Sequence, residues 1–167
     1  MNIWHDTGVA QHLGGYSDAV EVQEPASWLL LSGTPGVAAD GTVPERFAKE
    51  AENAWANVKR ALDVAGFELA DLVKVTQYLT SAEDVEAYTQ VRAAALGDAR
   101  PAFMLLVVPE LIRPDVRVQI EALAAKPKLS HTHKDAQQLA REALGTSDLG
   151  YRDSDEQDAY EHHASGS

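Results

Sequence analysis

The sequence has no cysteine among its 167 residues. A disulfide framework, a thiolate zinc site and a cysteine nucleophile are therefore excluded. The first six residues also lack the basic and apolar segments of a secretory signal peptide. From these two absences we expect a cytoplasmic protein.

Long apolar runs and nucleotide-binding or protease motifs are missing as well. No stretch approaches the roughly 18 apolar residues that span a bilayer, so we expect no membrane partner. The sequence has no glycine-rich phosphate loop, no G-x-S-x-G and no zincin pattern. Two histidine pairs, 131/133 and 162/163, make a metal site conceivable, but without a third ordered ligand the signal is weak. We therefore expect neither a metal nor another cofactor.

Basic residues are scarce: the chain has 14 lysines and arginines against 26 aspartates and glutamates, and its formal net charge is −12. Residues 1–128 carry 11 basic and 18 acidic side chains, and residues 129–167 carry 3 and 8. Because nucleic-acid binding depends on neutralising phosphates, this balance argues against a nucleic-acid partner.

Hydrophobic residues make up 45% of the chain, which is typical of a globular protein. Apolar periodicity predicts two strands, a long helix with Pro44 in its first turn, a strand, a second helix and two more strands. The predicted ranges, in the same order, are 19–22, 27–33, 44–65, 72–80, 83–96, 102–108 and 116–123. This order favours an α+β fold, a mixed sheet with both helices on one face. The other face then needs a cover, and self-association would provide one.

The chain divides into three parts by composition. Residues 1–128 form the predicted domain, which ends at a Lys-Pro-Lys break. Residues 129–145 are a short extension with the pattern of one helix. Residues 146–167 are polar and acidic, a composition that predicts a disordered tail.

Four separated segments resemble the RidA (YjgF-type) family. They are LGGYSDAV at 13–20, LSGTPG at 31–36, VAGFELADLVKVTQYLT at 64–80 and VRVQIEALA at 116–124. The resemblance implies a chorismate-mutase-like α+β fold and a homotrimer whose sheets line a central barrel. It also implies three small-molecule clefts, one between each pair of neighbouring subunits.

The same resemblance implies which residues line the cleft. Tyr16, Ser32 and Gly33 match the family's cleft positions. Deaminating members carry an arginine after a Pro-Ala pair, which clamps a substrate carboxylate, and this chain has Phe103 there. They also carry a glutamate that positions water, and this chain has Gln119 there. Thr89 replaces an asparagine that is usual on the second helix.

These departures leave several interpretations open. Phe103 either makes the cleft apolar or simply packs within its strand. Gln119 either orients a ligand, with Tyr16 as a second polar group at the reacting centre, or belongs to the polar row of an alternating strand. Arg92 and Arg100 either replace the missing cation or are surface and capping arginines. A cation in the cleft would favour carboxylate ligands, and its absence would favour neutral ones.

Three functions compete on this basis. The first is a divergent RidA-like enzyme acting on a small enamine, imine or carbonyl compound between subunits. The second is a ligand-binding or accessory trimer without catalysis. The third is an endoribonuclease, an activity attributed to some relatives, which the acidic balance opposes.

Overall fold

The fold is described by a computed structural model, which covers residues 2–12 and 16–128. Its strands are β1 (Ile3–His5), β2 (Ala19–Glu21), β3 (Ala26–Pro35), β4 (Leu72–Leu79), β5 (Ala102–Val107) and β6 (Val118–Pro127), and its helices are α1 (Phe47–Val64) and α2 (Val85–Leu96). The main sheet has the order β3-β6-β4-β5, in which only β4 and β5 are parallel. Two helices on a mixed sheet confirm the predicted α+β fold.

Alternation along the strands separates the two faces of the sheet. On β6, Val118, Ile120 and Ala122 are buried beneath the helices, where they pair with equally buried residues of β4. The residues between them point to the opposite face because successive side chains of a strand alternate. That opposite face, called here the open face, carries several exposed or half-buried apolar side chains, namely Trp28, Leu30, Tyr78, Met104, Leu106 and Leu123.

Helix α1 packs on the sheet through one apolar stripe. Its buried residues recur at helical spacing, as the sequence predicts: Ala51, Ala54, Trp55, Val58 and Leu62. At Gly36 the chain passes so close to α1 that an added Cβ would lie 2.1 Å from the Glu50 carbonyl oxygen. The absence of a side chain there lets the β3 exit and α1 approach each other.

A buried ion pair connects α1 to the start of β6. The Glu50 carboxylate is fully buried, and it accepts hydrogen bonds from the Arg117 backbone N–H (2.6 Å), the Val118 N–H (3.2 Å) and Arg117 Nε (2.7 Å). Arg117 Nη2 also donates to the Pro44 carbonyl oxygen at 2.8 Å. The prediction that Pro44 lies in the first turn of the helix is therefore wrong. Helix α1 begins only at Phe47, after an extended Arg46, and Pro44 supplies a carbonyl to this guanidinium instead.

Other predictions differ from the structure at the ends of the domain. Strand β1, which pairs with β2, was not predicted. Strand β6 begins at Val118 and continues to Pro127, later and longer than predicted. Within one chain, strand β5 lies at a sheet edge with Met104 and Val107 exposed. Its apolar run indicates burial on both faces through self-association, which stays a prediction. The predicted extension 129–145, tail 146–167 and histidine pairs lie outside the described residues.

Candidate functional site

A cleft of about 300 Å³ opens between α2, β5 and the segment before β2. Its lining consists of two aromatic rings, two apolar side chains, a hydroxyl and a guanidinium, from Tyr16, Val85, Thr89, Arg92, Phe103 and Leu105. We call it the arginine cleft. Four of the eight residues predicted from the sequence meet here, from three separate segments of the chain.

The aromatic wall of this cleft is fixed by backbone contacts. The rings of Tyr16 and Phe103 lie 4.3 Å apart between centroids and are tilted by 59°. Next to Tyr16, the Ser17 hydroxyl donates to the Arg100 carbonyl oxygen at 2.6 Å, and the Ser17 N–H donates to the Pro101 carbonyl oxygen. These bonds attach the segment to the residues that lead into β5, so Tyr16 is held beside Phe103.

Arg92 supplies the positive charge of the cleft. Its guanidinium carbon lies 4.1 Å above the centre of the Phe103 ring, a cation–π contact. The residue is only 7% exposed, and its guanidinium makes no hydrogen bond or ion pair with any residue in the described part of the chain. Burial lowers the pKa of Arg92 from its ordinary value, while the neighbouring Tyr88 opposes that shift. The charge is thus partly desolvated without an anionic partner among these residues.

A buried polar chain holds α2 in place above the sheet. One turn before Arg92, the fully buried Tyr88 hydroxyl donates to Gln77 Oε1 at 2.9 Å. Gln77 Nε2 in turn donates to the Met104 carbonyl oxygen at 3.2 Å. Burial raises the pKa of Tyr88, so its hydroxyl stays protonated and remains a donor. Helix α2, strand β4 and strand β5 are therefore coupled directly beneath the arginine cleft.

A second cleft, of about 250 Å³, lies at the other end of the sheet. It is lined by Gly33, Pro35, Leu111, Ile112, Arg113, Val116 and Gln119, and we call it the glutamine cleft. A β-bulge in β3 shapes this cleft. Leu31 pairs with Ala122 and Thr34 with Ile120, so β3 has one residue more than β6 between these two pairs. At the bulge, a Cβ on Gly33 would lie 1.8 Å from Gln119 Nε2, so the amide rests directly on the glycine.

One chain does not bring its two clefts together. Phe103 is opposite Val75 and therefore shares the helix-covered face, whereas Gln119 alternates with Ile120 and points to the open face. Phe103 pairs with Val75 of β4, which pairs with Ala122 of β6. Phe103 is thus two strands away from β6 and offset by three residues from Gln119. At about 3.3 Å per residue and about 4.8 Å between strands, their Cα atoms are roughly 14 Å apart.

The remaining predicted residues have different roles. Arg100 does not enter the arginine cleft; its Nη1 donates to the carbonyl oxygens of Gly97 and Ala99, so it caps the end of α2. Ser32 is exposed in the bulge beside Gly33, and Thr34 Oγ1 donates to its carbonyl oxygen. The Thr89 hydroxyl donates to the Val85 carbonyl oxygen at 2.8 Å, within its own helix.

Sequence reasoning missed several residues that line the clefts. Leu105 could have been found, because it lies two positions after Phe103 and must share its face of the strand. The loop residues Leu111, Ile112 and Arg113 gave no signal, since loop conformation does not follow from periodicity. Arg113 pairs there with Asp115 through two hydrogen bonds of 2.7 and 2.8 Å, and this pairing lowers the pKa of Asp115.

Two features are absent from residues 2–12 and 16–128. No group of three or more histidine, aspartate or glutamate side chains there is arranged to hold a metal ion. Neither of the two α-helices is long and apolar enough to cross a membrane.

Known proteins similar to this chain have the same fold. A RutC family protein of Pyrococcus horikoshii is 30% identical over 120 residues, which cover 68% of this chain and 89% of that protein. A 2-iminobutanoate/2-iminopropanoate deaminase of Dermatophagoides farinae is 30% identical over 115 residues, which cover 68% and 87%. The crystal structure of YyfB from Yersinia pestis, a Rid family protein of unknown function, covers 75% of this chain and 98% of its own at 26% identity and a TM-score of 0.66.

The family model described as Endoribonuclease L-PSP matches residues 8–126, which include both clefts and every strand of the main sheet except the last residue of β6. The chain therefore belongs to the RidA/YjgF family.

Proposed function

We propose that this protein is a divergent RidA-type protein that binds or converts a small enamine, imine or carbonyl compound in clefts between the subunits of a homotrimer. One observation carries the proposal: the predicted site residues form two half-sites on opposite faces of one sheet. Assembly of copies would place the arginine cleft of one subunit against the glutamine cleft of the next.

The open face supports such an assembly. Leu30 is 73% exposed, Met104 52% and Trp28 47%, and all three project from the same face of the sheet. Large apolar side chains left exposed in this number are unfavourable for a monomer, because each gains about 1.5–3 kcal/mol when it is buried. A second and third copy would cover this face.

The substrate class is supported by the relatives. One of the named relatives, the protein of Dermatophagoides farinae, acts on imines, as its designation 2-iminobutanoate/2-iminopropanoate deaminase states, and the match covers 87% of its length. The arginine cleft has the mixture of apolar walls and few polar groups that is typical of small-molecule pockets. We extend the imine, enamine or related carbonyl class to this chain on that basis.

The second candidate, a ligand-binding trimer without catalysis, is favoured by Gln119. An amide donates and accepts hydrogen bonds, but it takes no proton from water at neutral pH. The two candidates differ in turnover of 2-aminoacrylate generated in situ from serine by a dehydratase. Release of the 2-oxo acid well above the uncatalysed rate supports the enzyme, and release at that rate supports the binding protein.

Subunit complementation tests the shared cleft. Thr89→Trp fills the arginine cleft of a chain, and Gly33→Leu fills its glutamine cleft. Each variant alone should lose binding of 2-oxobutanoate, measured by isothermal titration. Randomly mixed trimers of the two variants should regain about a quarter of the wild-type sites, since each intact site needs one unblocked half from each of two neighbours.

Mixed trimers isolated through two affinity tags in sequence each contain one intact site, so this fraction should regain about a third of the wild-type sites. Circular dichroism establishes that both variants are folded. No recovery of binding in verified mixed trimers would overturn the shared cleft. Chains that are monomeric at micromolar concentration would overturn it as well.

A further inference from the structure

We infer that Arg92 is the ligand anchor of the arginine cleft, and that its ligand is a carboxylate with an apolar or aromatic body. The inference rests on the proposed function, in which this cleft binds a small imine or carbonyl compound. It adds the residue that holds the ligand and the chemical class of the ligand.

Arg92 differs from the other arginines whose contacts the structure describes. Arg117 pairs with the Glu50 carboxylate, Arg113 pairs with Asp115, and Arg100 donates to two backbone carbonyls. Arg92 is the most buried of these four, yet within the described residues it has only the Phe103 ring as a partner. A guanidinium has five N–H donors, and a buried cation without an anion is costly. An anionic ligand would satisfy both requirements.

The stacking on Phe103 determines how a ligand can approach. The guanidinium carbon lies 4.1 Å from the centre of the Phe103 ring, so the ring occupies one side of the cation. The N–H groups of Arg92 donate to no other residue in the described part of the chain, and a carboxylate can accept two parallel hydrogen bonds from a guanidinium. Phe103 is therefore a positioning residue for Arg92, and the cation enters the cleft from α2 instead of from β5, where the family resemblance places it.

The rest of the cleft selects the body of the ligand. Tyr16 and Phe103 form an aromatic wall, and Val85 and Leu105 add aliphatic surface. The Thr89 hydroxyl already donates within its helix, so it offers a ligand mainly its acceptor lone pairs. A volume of about 300 Å³ lies at the small end of ligand pockets. Planar 2-oxo or 2-imino acids with an apolar or aromatic side chain fit this description.

Three probes separate the two parts of the inference. Phenylpyruvate carries the carboxylate and the aromatic body, phenylacetone keeps the body without the carboxylate, and pyruvate keeps the carboxylate without the body. Isothermal titration of the wild-type protein should show phenylpyruvate binding at least tenfold more tightly than either of the others. Charge-assisted hydrogen bonds account for a difference of about 10- to 100-fold.

Substitutions assign the preference to Arg92. Arg92→Gln should weaken phenylpyruvate binding by at least tenfold and leave phenylacetone unchanged, while Arg92→Lys should retain part of the preference. The matched control is Arg100→Gln, which removes an arginine that caps α2 outside the cleft. It should leave the affinities for phenylpyruvate and phenylacetone unchanged. Phe103→Leu should weaken phenylpyruvate binding more in the wild-type background than in the Arg92→Gln background, because part of its effect acts through the guanidinium.

The outcomes distinguish this inference from the proposed function. If phenylpyruvate and phenylacetone bind with equal affinity, and Arg92→Gln does not change this, the role of Arg92 is overturned. Ligand binding in the arginine cleft, and with it the proposed function, would remain. Pyruvate binding as tightly as phenylpyruvate overturns the apolar body. If none of the three probes and no 2-oxobutanoate bind, the proposed function fails together with the inference. Thermal melts of each variant within a few degrees of wild type establish that the fold is retained.

Discussion

At the residue scale, we predict that the exchange of one side-chain group changes the chemistry of the glutamine cleft. Gln119 and the glutamate of deaminating relatives have the same shape, and the amide already rests on Gly33. We predict that Gln119→Glu raises 2-oxo acid release from in situ 2-aminoacrylate at least tenfold over wild type, because a positioned general base contributes about 10²–10⁴-fold. The wild-type protein and the Gln119→Met variant should both release the 2-oxo acid slowly. A Gln119→Glu rate equal to that of wild type would contradict this role.

The candidate residues could be predicted only in part at this scale. Tyr16, Thr89 and Phe103 meet in one cleft, and their family positions predicted this. The position of Arg92 could not be predicted, because a single arginine on a helix faces solvent or a cleft according to how the helix is docked. That docking depends on the Tyr88–Gln77–Met104 contacts, which join three elements.

At the scale of elements, the Glu50–Arg117 pair determines how α1 meets β6. We predict that Glu50→Gln lowers the free energy of unfolding by roughly 2–4 kcal/mol, because the charge of Arg117 loses its buried partner. The control Glu52→Gln removes only the exposed pair with Lys49, and it should cost less than about 1 kcal/mol. Urea unfolding measures both. Equal effects of the two substitutions would show that the buried pair is not a specific contact.

Periodicity predicted the long elements and failed for the short ones. Helix α1 and strand β4 each bury a regular set of residues, so their patterns are strong. Strand β1 has three residues, all exposed, and it exists only because it pairs with β2. Strand β5 is apolar on both faces although one chain covers only one of them, and the proposed assembly would cover the other.

At the scale of the whole molecule, we predict a homotrimer that depends on the open face. Leu30→Lys should convert the protein to monomers at micromolar concentration, because a lysine charge would have to be buried in the interface. Val64→Lys is the matched control, since Val64 is 86% exposed at the end of α1 and away from that face. Sedimentation equilibrium measures both variants. A monomeric wild type, or a trimer unaffected by Leu30→Lys, would contradict the prediction.

The acidic C-terminal region is predicted to be dispensable for this assembly. A chain ending at Lys128 should remain trimeric and melt within a few degrees of the full chain, because residues 129–167 carry 8 acidic and 3 basic side chains and few large apolar ones. Calorimetry and sedimentation test it. A decrease in Tm of more than about 8 °C, equivalent to roughly 1–2 kcal/mol or more for a domain of this size, would make the region part of the fold.

The bulge in β3 also bears on how related sequences can be sorted. Leu31 and Thr34 pair with Ala122 and Ile120, so one residue fewer between them would restore regular pairing with both side chains still on their present faces. The sheet would therefore tolerate that deletion, while the glycine beneath the Gln119 amide would be displaced. The spacing between these two strand positions is then a marker, readable from sequence alone, of which chains with this fold retain the half-site.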